Sequence, residues 1–413
     1  MSSDAPRVRR LIVAAAIVGL GLRLAFGLLY WTGKPLTHDE REYLALAQSV
    51  GEGRGFVYDT AHESGTAQQF GRAPAYPLFL ATIGAGSADA TSSPARVKIA
   101  QSVVGAILVW LVGTIAARAA GGRAGVVAAG IAAIYPPLVW ISAYVFSETL
   151  YSALALGAVL LLDQATARAD KEGNARAGGA ATLGAGLLTG VAILVRPVML
   201  FFLPLAALWL WRRRRASLAV ALLVTAVAVV APWTARNYRV YGRFVLVASE
   251  GGVTFWTGNH PLARGEGDLA ANPDIKRAEI AFRAAHAGLS AEELEPLYYR
   301  DAFAYITANP GRWAWLLVRK AFYTVVPVGP SYTLHSFRYL ALSVVSYVAL
   351  LAAAIYGVRF IPRNRRPVAL FLLAASAVLV SLVFFPQERF RIPVIDPTLI
   401  VCAAASVRRA ESR

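Results

Sequence analysis

The chain has 413 residues, 57% hydrophobic and only 16% charged, with a mean hydropathy of +0.52, a balance too apolar for an ordinary soluble domain of this length. Its formal charge of +17 does not point to nucleic acid, because the basic residues sit in short clusters between apolar runs, as in the cytoplasmic loops of membrane proteins. A single cysteine, Cys402, excludes an intramolecular disulfide and a thiolate metal cage.

Runs of about the 20 apolar residues that a bilayer crossing needs fall at 11–31, 96–117, 124–141, 146–165, 178–195, 197–211, 216–233, 339–358, 367–385 and 392–407. The first follows a basic flank, as a signal peptide would, but it is too long for a cleaved apolar core and lacks a clear small-residue exit, so it reads as a retained span. With ten crossings, Arg7, Arg9, Arg10, the run Arg212 to Arg215, the cluster "RFIPRNRRP" and the tail "VRRAESR" share one side. The positive-inside rule makes that side the cytoplasm and puts both termini there. The Ala- and Arg-rich composition fits a bacterial plasma membrane.

Residues 1–413 therefore read as one integral domain with two long extracytoplasmic loops, 32–95 and 234–338. Segments 74–88 and 313–328, interrupted by Gly and Pro or amphipathic, read as helices lying at the interface. The expected fold is an all-α polytopic membrane protein of about ten transmembrane helices.

Polar residues gather toward the extracytoplasmic face. Asp39 and Glu40 follow the first run in "KPLTHDEREY"; Arg72 precedes the 74–88 segment; Glu148 opens the fourth run and Arg196 ends the fifth. Arg236 and Asn237 end the seventh, His260 lies in the second loop, and "FPQERFRIP" carries Arg389 and Arg391 into the last. Arg23 lies inside the first run, where a charge costs at least about 2.5–3.5 kcal/mol and is expected to face the bundle interior, toward Asp396 or a donor phosphate.

Carboxylates opposed by arginines suit attack by a hydroxyl on a carbon that bears a phosphate leaving group. An ionised carboxylate takes the hydroxyl proton, a role worth about 10²–10⁴ in rate. Guanidinium groups neutralise charge on the departing phosphate. A plainer reading competes at each residue: Thr37 with Glu40 has the form of a capping box, and arginines at span ends commonly snorkel to the headgroups.

Five stretches in order, "THDEREYLALAQSVGEGRGF", "GRAPAYPLFLA", "LTGVAILVRPVMLFFLP", "APWTARNYRVYGRFVLVASEGGVTFWTGNHP" and "ERFRIP", resemble the bacterial GT-C glycosyltransferases, the group of protein O-mannosyltransferases and the lipid A aminoarabinose transferase. The resemblance implies a multi-span enzyme with a polyprenyl-phosphate-linked sugar donor and extracytoplasmic catalysis. The expected reaction is transfer to a hydroxyl-bearing lipid, glycan or protein acceptor, with inversion because a single displacement needs one base and no covalent carboxylate intermediate. The resemblance makes Asp39 the candidate base with Glu40 as its partner, and Arg72, Arg236, Arg389 and Arg391 candidate phosphate ligands. Arg23, Glu148, Arg196, Asn237 and His260 are candidate lining residues. Phe390 stands where the family's terminal motif has tyrosine.

Some relatives use a divalent ion near the phosphate. Here His38, His62, Glu63 and His260 lie in the outer loops without helical metal-ligand spacing, so a metal stays open. A lipid flippase or transporter is the alternative function, although such proteins keep ionisable groups near mid-membrane, where only Arg23 qualifies.

Overall fold

The structure is a computed structural model that describes residues 5–57, 71–265, 272–327 and 337–411. In chain order the helices are α1 Ala5–Ala25, α2 His38–Gly51, α3 Ala75–Thr82, α4 Ala95–Ala120, α5 Gly122–Ile134 and α6 Pro136–Trp140. They continue as α7 Glu148–Glu172, α8 Gly179–Val195, α9 Phe202–Arg212, α10 Ala216–Tyr241, α11 Gly251–Asn259 and α12 Pro273–Ala285. The last six are α13 Ala291–Ala308, α14 Pro310–Val325, α15 Phe337–Gly357, α16 Val368–Val383, α17 Glu388–Arg391 and α18 Ile395–Ala404.

Six helical stretches among the described residues are long and apolar enough to cross a membrane: Ala5–Tyr30, Ala95–Ala120, Glu148–Glu172, Ala175–Val195, Ala216–Tyr241 and Phe337–Phe360. The 124–141 run is a bent pair, α5 and the stretch Pro136–Ala143, turned by 61°. The 197–211 and 367–385 runs form the shorter apolar helices Pro197–Arg212 and Val368–Val383. The last expected run holds only the ten residues of α18 as α-helix.

Close helix packing follows from small residues. A Cβ on Gly113 would lie 2.8 Å from that of Ala129, and one on Gly125 would lie 2.6 Å from that of Ala117, so α4 and α5 meet almost backbone to backbone.

The bend after α5 explains Arg23. Pro136 and Pro137 have no N–H, so the carbonyls of Ala132 and Ala133 lose their helical donors. Arg23, fully buried, donates to both, at 3.2 and 3.4 Å, and to the Gly19 carbonyl at 2.9 Å. The expected pairing with Asp396 is not made. Asp396 is held instead by Arg391 Nε at 2.9 Å and the Tyr135 hydroxyl at 3.1 Å. The arginine is a cap for a proline-broken helix.

Helices α11 to α14 have their own apolar cluster, which includes Trp256, Ile275, Leu294, Tyr298 and Leu316. The amphipathic segment after Asn272 divides into α12 and α13 at Gly288, whose φ of +94° suits glycine. In α14, Leu316, Lys320 and Thr324 are buried, while Trp315, Val318, Phe322 and Val325 are exposed on the other side. Helix α3, in the 74–88 segment, has eight residues, too few to cross a bilayer.

Candidate active site

The site is built from the first turn of α2. Thr37 and Glu40 form a capping box: the Thr37 N–H and hydroxyl donate to Glu40 Oε2 at 2.8 and 2.9 Å, and the Glu40 N–H donates back to Thr37. The other Glu40 oxygen accepts the Val145 N–H at 2.9 Å, so both its oxygens are engaged and the side chain is buried. Glu40 does not line the chamber described next. Asp39, free of the cap, turns the other way, with Glu42 and Tyr43 three and four residues on and on the same face.

Arg72 faces them, fixed through its neighbour. The Gly71 N–H donates to Ser249 Oγ at 2.7 Å and its carbonyl accepts the Ser249 N–H at 3.0 Å, which sets Arg72 beside Glu250 at the start of α11. The Arg72 guanidinium then spans three carboxylates: Asp39 Oδ1 at 3.0 Å, Glu42 Oε2 at 2.8 Å and Glu250 Oε2 at 2.9 Å. It also lies over the Tyr43 ring.

From the far end of the chain, Arg389 Nη2 donates to Asp39 Oδ2 at 2.8 Å. Its guanidinium is flanked by the Phe146 and Phe390 rings, 5.0 and 5.4 Å away. Arg196, carried past α8 where Pro197 follows, lies over the opposite part of this layer, 5.2 Å from the Phe390 ring. It pairs with Glu148 Oε1 at 2.7 Å, and Arg389 stands 3.8 Å from the same oxygen. Arginines and rings alternate, so each guanidinium is held in plane while its N–H edges stay directed at anions.

These groups line a chamber of about 1470 Å³. Part of the lining is apolar, with Val198, Leu200, Phe201, Val380 and Phe384; another part, from α13, carries Glu292, Glu295 and Tyr299. Burial drives the Asp39 carboxyl up, but Arg389 and Arg72 outweigh it and hold the group well below the usual carboxylate range. For Glu42 burial wins over Arg72, and its carboxyl is raised. Tyr43 is pushed up to about 12, chiefly by burial.

Of the residues singled out in the sequence, His38, Asp39, Arg72, Glu148, Arg196 and Arg389 line the chamber; Glu40 and five others do not. Arg236 packs between the Trp233 and Tyr241 rings and donates to the Tyr241 hydroxyl at 3.3 Å. Asn237 donates to the Val245 and Val247 carbonyls, bracing a segment that does line the chamber. His260 packs against the Trp256 ring at a tilt and accepts the Leu262 N–H. Arg391 is enclosed by Asp396 and the Tyr347 ring, and Arg23 caps α5. His62 and Glu63 lie outside the described residues.

Sequence reasoning missed Glu42 and Glu250. The spacing of Glu42 from Asp39 would have found the first, since three residues on a helix return to the same face. Among the described residues no group of three or more His, Cys, Asp or Glu is arranged to hold a metal ion. Asp39, Glu42 and Glu250 already share the Arg72 guanidinium, so this donor set does not fit a divalent ion as it stands.

No protein-family model and no curated protein sequence matches the chain. Solved structures do. The oligosaccharyltransferase AglB from Archaeoglobus fulgidus, in complex with an inhibitory peptide and a dolichol-phosphate, superimposes with a TM-score of 0.59 at 17% identity, over 100% of this chain and 51% of its own. The same enzyme tethered to an acceptor peptide gives 0.59 at 15% identity, over 97% and 49%. ArnT from Cupriavidus metallidurans bound to undecaprenyl phosphate gives 0.44 at 15%, over 100% and 79%. The chain thus spans about half the length of the archaeal enzyme it matches. The chain shares the fold of the archaeal oligosaccharyltransferase over nearly its whole length.

Proposed function

We propose that the chain is a membrane glycosyltransferase that moves a sugar from a polyprenyl-phosphate donor to a hydroxyl on a lipid, glycan or protein, at the extracytoplasmic face of a bacterial plasma membrane. The observation that carries the reading is Asp39 set between Arg389 and Arg72 in a chamber with a partly apolar lining. That a structure of like fold holds a dolichol-phosphate supports a lipid phosphate here. The outward position is supported by charge: the basic clusters at 212–215 and 363–366 belong to the loops that the positive-inside rule assigns to the cytoplasm, in a chain of about ten crossings with both termini inside.

The reaction is a single displacement. The acceptor oxygen bonds to the anomeric carbon as the bond from that carbon to the phosphate oxygen breaks; the hydroxyl proton passes to Asp39 and polyprenyl phosphate leaves. One base and no covalent carboxylate intermediate give inversion. Arg389 and Arg196 take the phosphate, whose paired oxygens suit guanidinium forks. The prenyl chain lies along Val198, Leu200, Phe201, Val380 and Phe384, with about 0.8 kcal/mol per CH₂ buried. Acids and a phenol from α13 suit a polyhydroxyl or amine-bearing acceptor better than an anionic one.

Resting Asp39 is a weak base, because two arginines hold its proton affinity down. A lipid phosphate competes for Arg389. As Arg389 transfers to the phosphate, Asp39 loses a cation and its proton affinity rises when a base is needed.

The test is purified protein in lipid nanodiscs given a panel of labelled polyprenyl-phosphate sugars. Transfer from at least one donor with an inverted product is expected, reduced about 10²–10⁴-fold by Asp39→Asn. Movement of the lipid between leaflets without any transfer would favour the flippase instead.

A further inference from the structure

The chamber's carboxylates raise a question that the transfer mechanism leaves unanswered. Asp39, Glu42 and Glu250 come from α2 and the start of α11, elements more than 200 residues apart in the chain, and like charges brought together repel unless a cation lies among them. All three meet Arg72. Its Nη2 contacts both Asp39 Oδ1, at 3.0 Å, and Glu42 Oε2, at 2.5 Å, and its Nη1 contacts Glu250 Oε2 at 2.9 Å. The three oxygens thus converge on the two terminal nitrogens of one guanidinium, and hard divalent ions such as Mg²⁺ and Ca²⁺ are likewise held by carboxylate oxygens.

We propose that Arg72 is a built-in cation: it fills the place among Asp39, Glu42 and Glu250 that a divalent ion would fill, and the chain works without such an ion. The fixing of Arg72 supports this. The preceding Gly71 is tied to Ser249 through both its N–H and its carbonyl, the guanidinium lies over the Tyr43 ring, and the side chain is only 16% exposed, so the charge is held in place among the acids. Guanidinium also keeps its proton at every physiological pH, and the surrounding carboxylates strengthen that hold. Unlike a divalent ion, a side chain cannot be removed by a chelator.

Removing the guanidinium while keeping the acids should therefore convert the cluster into a metal site. The experiment titrates Mn²⁺ into purified wild-type protein, Arg72→Ala and Arg72→Lys, followed by electron paramagnetic resonance, and assays transfer with and without EDTA. Wild type and Arg72→Lys are expected to show no Mn²⁺ bound through these acids, whereas Arg72→Ala binds it and loses it again when Glu250→Gln is added. The transfer arm rests on the proposed function: wild-type transfer is unchanged by EDTA, and Arg72→Ala is about 10²–10³-fold slower in EDTA with partial rescue by Mn²⁺. Wild-type Mn²⁺ binding abolished by Glu250→Gln would overturn the proposal, as would wild-type transfer that EDTA stops and Mg²⁺ or Mn²⁺ restores. A folded Arg72→Ala, judged by an unchanged unfolding temperature, that gains no Mn²⁺ would overturn it too. If Arg72→Ala does not fold, the wild-type titration and chelation decide the matter. If no donor supports transfer, the glycosyltransferase reading fails while the Mn²⁺ titrations still decide for or against the built-in cation.

Discussion

Arg389 and Arg391 are two residues apart, and each pairs with an aspartate, yet they live in different chemistry. The Arg389 and Asp39 side chains are 28% and 24% exposed at the chamber, and each has further charged neighbours. The Arg391 and Asp396 side chains are 3% and 0% exposed, closed in by Tyr135 and Tyr347. A pair at a hydrated chamber can change partners at low cost; a pair sealed in the bundle cannot, since separation leaves two charges in a low dielectric. Under the proposed mechanism, the same residue types serve exchange in one place and cohesion in the other.

The largest effect should come from breaking the sealed pair. Arg391→Leu leaves Asp396 uncompensated and is expected to lower stability by about 3–5 kcal/mol, with most of it restored by adding Asp396→Leu. Denaturant unfolding in detergent reads both. If the single variant were as stable as wild type, the division between the two regions would fail.

Next comes Arg389→Ala, expected to cut kcat/KM for the lipid donor about 10²–10³-fold with little change in unfolding temperature. The opposite pattern, lost stability with normal transfer, would make Arg389 another structural arginine.

A smaller effect should follow pH. Burial raises the Glu295 carboxyl to about 7, outweighing N–H donation from Gly252 and Gly251. Its protonated form therefore contributes stability that is full below the ordinary glutamate value of about 4.3 and is lost as pH rises through about 7. Glu295→Gln should flatten that decline. Asp39 has the reverse sign: its ion pairs contribute fully above about pH 3.9 and are lost only as pH falls further, so acid sensitivity near pH 5 would argue against its pairing with Arg389 and Arg72.

The smallest belongs to Arg236→Ala, which loses stacking on Trp233 and Tyr241, worth about 0.5–1 kcal/mol, and leaves donor KM unchanged. A large rise in donor KM would restore Arg236 as a phosphate ligand.

Of the ten apolar runs, six are helices long enough to cross a membrane; 124–141 is a pair bent at Pro136, 197–211 and 367–385 form shorter helices, and the last run is only partly α-helix. The Thr37–Glu40 box was readable as a local pattern, and it left Asp39 to turn elsewhere. What stayed hidden depended on contacts across the chain. Sequence could not tell that Arg389 would reach Asp39 while Arg391 turned into the core, because that depends on how α17 meets α2 and α18. Arg236 had a local clue, aromatic residues three before and five after it, which are its actual neighbours. Glu250 had none, since only the tie between Gly71 and Ser249 brings it to Arg72.

The most direct test is electron cryo-microscopy of the protein in nanodiscs with a polyprenyl phosphate. The phosphate is expected about 2.7–2.9 Å from the Arg389 and Arg196 guanidinium nitrogens, with Arg389 withdrawn from Asp39. A phosphate lodged elsewhere, at Arg236 for example, with Arg389 still bonded to Asp39, would contradict the proposed chemistry of the chamber.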